Sequence, residues 1–78
     1  MTEKEILVNA MKVRGYTQTM LAQAAGYARQ SNVSELLRGK SIRVDNFVKL
    51  LNAMGFDVVV KDRNGQNREN VWKVELEE

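Results

Sequence analysis

The 78 residues include no cysteine and no histidine, which leaves one small domain without disulfides or a Cys/His metal site. The longest apolar runs are only a few residues and the acidic start MTEKEI is unlike a signal peptide, so a soluble cytoplasmic chain off the membrane is expected, with no cofactor. Charge is divided unevenly: residues 1–56 carry eight bases against four acids, residues 57–78 four against six, so a polyanion suits the first part and not the second.

In chain order, Thr2 and Glu5 have the spacing of a capping box, with Glu3 also favourable at the positive end of a helix dipole. Ile6, Leu7, Ala10, Met11 and Arg14 continue this first helix, and Gly15 ends it. Thr17 can cap a second helix, QTMLAQAA, which Gly26 stops. A third runs from about Arg29 or Gln30 to Arg38, with Val33, Leu36 and Leu37 on one face and Gly39 as its stop. The fourth, about Val44 to Met54, places Val44, Phe47, Val48, Leu51 and Met54 on its apolar side, and Gly55 closes it. Met11, Met20 and Met54 read as packing residues.

The period then changes from that of a helix to that of a strand. FDVVVK and NVWKVEL alternate on either side of DRNGQN, which predicts a β-hairpin. A three-residue loop, Asn64 to Gln66, would set Asp57 opposite Lys73, Val59 opposite Val71 and Lys61 opposite Glu69 on one face. On the other it sets Phe56 opposite Val74 and Val58 opposite Trp72, so charges and apolar groups both pair well. Phe56, Val58, Trp72 and Val74 are expected to cover the helices, and Val59 and Val71 to form a surface for dimerisation.

Catalysis finds little support. Gly39-Lys40-Ser41 matches the end of a phosphate-binding P-loop, but Ser34 stands where that loop needs its first glycine, and a helix precedes it instead of a strand. The usual histidine bases and cysteine nucleophiles are missing, and Asp45 lies in a helix's first turn, where a carboxylate favours the dipole without any reaction. The chain is expected not to be an enzyme.

From Thr17 to Lys40 the pattern is TQ-x-x-LA-x-x-AG, a turn, then Q-S-x-V-x-x-LL-x-GK, continued by IRVDNFVKLLNAMGFDVVV. Ala22 is small enough for the third helix to cross close to the second, and Leu21, Ala25, Val33 and Leu36 or Leu37 can fill the space between them. This pattern resembles the helix-turn-helix of the phage-repressor and Cro-like family, also called the xenobiotic-response-element (XRE) family. The turn Tyr27-Ala28-Arg29 is one residue longer than the family's common spacing, and Thr19 and Met20 stand where it often has acidic residues.

The resemblance implies an α+β chain, a four-helix lambda-repressor-like bundle followed by a C-terminal hairpin. Residues 1–78 would form a single domain, with 1–55 binding DNA and 56–78 available for dimerisation. It implies a bacterial or phage transcriptional regulator that binds double-stranded DNA as a homodimer, with the third helix in the major groove. Base edges would meet Gln30, Ser31, Asn32, Ser34 and Glu35; phosphates would meet Thr17, Gln18, Arg29, Arg38, Lys40, Ser41 and Arg43. With no effector domain, repression by occluding a promoter is the simplest mechanism. An antitoxin that binds a toxin partner through its acidic C-terminal segment, and regulates its own promoter secondarily, is the alternative.

Overall fold

The structure is a computed structural model, and it describes residues 1–64 and 69–76. Four helices precede one antiparallel hairpin: α1 (Glu3–Arg14), α2 (Gln18–Ala25), α3 (Gln30–Arg38), α4 (Val44–Ala53), β1 (Val58–Lys61) and β2 (Val71–Val74). This is the α+β helix-turn-helix bundle with a C-terminal hairpin that the pattern predicts.

Local chemistry sets the helix ends. The Thr2 hydroxyl accepts from the Glu5 N–H at 3.3 Å, and lies 3.2 Å from Glu5 Oε1, so Glu5 answers the hydroxyl itself. Thr17 caps α2 by accepting from the Met20 N–H at 3.1 Å. At the other end Gly26 sits at φ +81°, a left-handed conformation costly for any residue with a Cβ, and its turn lets the Tyr27 N–H reach the Ala22 carbonyl. Gly39 ends α3 differently, with extended backbone at φ −65° and ψ 163°.

The core forms where the helices cross. Leu7 and Ala10 of α1, Leu21, Ala22 and Ala25 of α2, Val33 of α3, and Leu50 and Leu51 of α4 are buried together with Met54. Leu36 and Leu37 pack half-buried against this cluster. Ile42, in the connection from α3 to α4, is also buried there, although no helical period marks it. Arg14 ties the end of α1 to the end of α4: its Nε donates to the Met54 carbonyl at 3.0 Å, and its guanidinium lies 4.2 Å from the Phe56 ring centre.

Three expectations are corrected. Val44 is 69% exposed, because it opens α4 before that helix reaches the core; Leu50, outside the expected stripe, is fully buried instead. Met20 is exposed and not a packing residue, whereas Met54 is buried and Met11 half-buried. The hairpin register is shifted by two residues, pairing Val58 with Val74, Val59 with Lys73, Val60 with Trp72 and Lys61 with Val71.

The reason for the shift lies at the loop. Asp62 Oδ1 accepts from the Asn64 N–H at 2.9 Å, Asp62 Oδ2 accepts from the Asn70 amide at 2.9 Å, and the Asp62 N–H donates to the Asn70 carbonyl at 3.0 Å. These bonds close the ladder at Asp62 and Asn70, so the loop is longer than Asn64 to Gln66; Gly65 and Gln66 lie outside the described residues. A two-residue shift keeps every side chain on its expected face. It carries Trp72 one step outward, from opposite Val58 to opposite Val60, and Trp72 is 60% exposed instead of covering the helices. Phe56 and Val58 do pack on the core. Asp57 and Lys73, expected as direct partners, meet as a diagonal ion pair at 3.6 Å.

Candidate nucleic-acid interface

The start of α3 stands beside the start of α2, and three polar side chains join them. Gln30 Nε2 donates to Gln18 Oε1 at 2.8 Å and to Ser34 Oγ at 3.1 Å, and Ser34 Oγ donates to Gln18 Oε1 at 2.6 Å. The hydrophobic crossing of α2 and α3 brings them together: Ala22 and Val33 are buried between the helices, and Gln18 and Gln30, one turn nearer each N-terminus, meet Ser34 at the rim. Gln18 and Ser34 are half-buried, while Gln30 is exposed.

Ser31 and Glu35 are exposed on the same outer side of α3. Asn32 is exposed too, but its Oδ1 accepts from the Arg29 N–H at 3.1 Å, so part of its hydrogen-bonding capacity caps the helix. Arg29 is the N-cap residue and α3 begins at Gln30, within the expected range. At the N-terminus of α2, the N–H groups of Gln18 and Thr19 precede the first intrahelical bond, Leu21 N–H to the Thr17 carbonyl. Together with exposed Thr17 they present donors and a positive dipole end to solvent.

The cations frame this surface. Arg29, Arg38 and Lys40 are exposed, as is Ser41. Arg38 Nε lies 3.4 Å from the Ser34 carbonyl, and no ion pair joins Arg38 to Glu35 among the described residues. Arg43 forms an exposed ion pair with Asp45 at 3.3 Å, worth at most about 1 kcal/mol, so its charge is partly answered within the chain. Val59 and Val71, the expected dimer surface, are both exposed, but they face Lys73 and Lys61 and not each other.

Tyr27 has a role that its spacing did not show. The residue lies in the lengthened turn, packs half-buried on the core, and donates its hydroxyl to Asn46 Oδ1 of α4 at 3.1 Å. The Lys49 ammonium lies 4.4 Å from its ring centre. Burial first, and then the Asp45 carboxylate, push the phenol above its ordinary value near 10. The extra turn residue is therefore anchored to α4. An aromatic beside the turn glycine was the one signal in the sequence, and it needed a partner 19 residues away to be read.

No helix of the described residues is long and apolar enough to cross a membrane. No match was found among curated proteins or among solved structures. A family model described as helix-turn-helix matches residues 9–60, the span from mid-α1 to β1. Chains of this family are DNA-binding regulatory domains and the family is not one of enzymes. The crossing of α2 and α3, their paired polar N-termini and this match agree: the chain belongs to the XRE-type helix-turn-helix family, that of DNA-binding transcriptional regulators.

Proposed function

We propose that the protein is a homodimeric repressor that reads a specific operator with α3 and blocks a promoter by occupying it. The bond between Gln18 and Gln30 is the observation that supports this reading most. It holds the Gln30 amide at the tip of α3 in one orientation before any ligand arrives. Exchanging the longer bond to Ser34 for an adenine N7 leaves Gln18 in place, and Gln30 Oε1 then accepts from the adenine N6. Ser31, Asn32, Ser34 and Glu35 follow along the groove, with the Asn32 amide donors free of the capping bond.

Phosphates would take the N-terminus of α2, with Thr17 and Gln18, and then Arg29, Arg38, Lys40, Ser41 and Arg43 on either side of α3. Residues 1–78 act as one domain, with the hairpin bringing two copies together so that two weak half-site contacts add. The exposed apolar hairpin also suits the antitoxin reading, in which a different protein covers it. That reading predicts a toxin partner bound through the acidic C-terminal segment, with binding to the chain's own promoter secondary.

The test is binding to the chain's own upstream DNA against scrambled DNA across a range of salt. With about eight phosphates contacted per dimer, log affinity falls by about seven units per log unit of salt. Gln30→Ala should relax preference at one base position at a cost of about 1–3 kcal/mol. Lys40→Ala should weaken every sequence alike and flatten the slope by about one unit for each phosphate that the lysine no longer neutralises. Equal affinity for scrambled DNA, or a flat salt response, would sink the reading.

A further inference from the structure

The hairpin ends in an unpaired edge whose side chains complement themselves. Asp62 and Asn70 form a hydrogen-bonded pair, so by alternation the pairs Val60–Trp72 and Val58–Val74 are hydrogen-bonded as well. The N–H and C=O groups of Val71, Lys73 and Glu75 therefore point away from β1, and no strand receives them among the described residues. An antiparallel copy of β2 can pair with this edge only in registers that set these outward residues opposite one another.

Few such registers exist, and charge and apolar pairing together choose among them. Centring the two-fold axis on Lys73 puts that lysine opposite itself, and centring it on Glu75 does the same with a carboxylate. Centring it on Trp72 sets Val71 opposite Lys73, and centring it on Val71 sets Lys73 opposite Glu69 but turns Trp72 to Asn70 and leaves Leu76 without an apolar partner. Centred on Val74, Lys73 of each copy faces Glu75 of the other, twice, and Trp72 of each faces Leu76 of the other, twice.

The last arrangement also fills a groove. Arg43, Val44, Asp45, Val48, Val74, Glu75 and Leu76 line an open groove of about 520 Å³ between the start of α4 and the end of β2. Trp72, Val74 and Leu76 share the helix-facing side of the strand, so an indole placed opposite Leu76 lies over this groove, beside Val44. Trp72 is 60% exposed, Val44 69% and Leu76 40%. Covering these residues and the strand edge on both copies removes on the order of 1,000 Å² from water, the lower end of specific interfaces.

We infer that two copies of this chain dimerise edge to edge through β2, about a two-fold axis at Val74, with Trp72 of each copy seated over the groove between α4 and β2 of the other. Glu75 and Leu76 join the ladder, giving a four-stranded sheet in the order β1-β2-β2-β1. The inference rests on the homodimer reading and names its surface. The rival edge, β1 centred on Val59, sets Asp57 opposite Lys61 but leaves Trp72, Val44 and Leu76 in water.

Sedimentation of the full chain without DNA tests dimerisation, and cysteine cross-linking tests the surface. The chain has no cysteine, so each single replacement reports on one axis. Val74→Cys lies at a non-hydrogen-bonded pair across the axis, where Cα atoms about 4.5 Å apart suit a disulfide. Under mild oxidation it should give a covalent species of twice 8.9 kDa, while Val59→Cys should not. Glu75→Lys should weaken dimerisation about tenfold, and Lys73→Glu combined with Glu75→Lys should restore it. Cross-linking through Val59→Cys alone, or a dimer indifferent to Glu75→Lys, would overturn the β2 surface while leaving the homodimer standing. A wild-type chain that stays monomeric at 100-micromolar concentration would overturn both.

Discussion

Tyr27 shows how one side chain can position a helix that it does not belong to. Its turn lies between Gly26 and the first residue of α3, and its hydroxyl is bonded to Asn46 of α4. Tyr27→Phe keeps the half-buried ring and removes only that bond, so a loss of about 1 kcal/mol is expected in thermal or urea unfolding. The pH response has a definite sign. Because the folded phenol titrates above its ordinary value near 10, the folded state keeps its proton when the unfolded state has begun to lose it. The stability that the protonated phenol contributes is complete below about pH 10 and lost as pH rises through the raised value, a decline that Tyr27→Phe should lessen. Equal alkaline slopes for the two proteins would show that this tyrosine does not carry the effect.

At the scale of elements, the hairpin and the helices obey different controls. The helix ends of α1 and α2 are legible from their caps: Thr2, Thr17 and Gly26 act where their types predict, because caps involve atoms a few residues apart. The hairpin faces are legible for the same local reason, since alternation survives any even shift. Its register is not, because it is set by bonds between Asp62 and Asn70, eight residues apart, which close the ladder. Bonds from the Asn70 side chain first, and then from the Asn64 N–H, hold the Asp62 carboxyl below the usual carboxylate range. The support it gives the hairpin is therefore complete above about pH 4 and lost as pH falls through the lowered value. Asp62→Ala should abolish that acid response and weaken amide protection across β1 and β2, measured by hydrogen exchange, while α1–α4 keep theirs. Unchanged protection in the strands would show that the register has another source.

For the molecule as a whole, the decisive residues are those that several elements share. Leu50 is fully buried within the four-helix cluster, so Leu50→Ala should cost about 2–5 kcal/mol. In a domain of this size each 1 kcal/mol lowers the melting temperature by about 4–8 °C, so a drop of at least about 8 °C is expected by calorimetry. A fall of only a few degrees would show that the core closes around the gap. The molecule is elongated, 42 by 28 by 23 Å, and its radius of gyration of 13.5 Å exceeds the roughly 11.5 Å of a compact chain of this length. The exposed half of the hairpin, with Val60 and Trp72, accords with that shape.

The sequence by itself determined the order of elements, the family, and which residues sit on the outer face of α3, because periodicity, caps and small crossing residues are local properties. Gln18, Gln30 and Ser34 were each legible as polar residues at helix starts. Only the tertiary structure decided the rest: the crossing of α2 and α3 that they bond to one another, the packing of the turn on α4 that Tyr27 reaches Asn46, and the ladder closed at Asp62 and Asn70 that Trp72 faces water. Those outcomes depend on distances between residues far apart in the chain, which packing sets and no local pattern encodes.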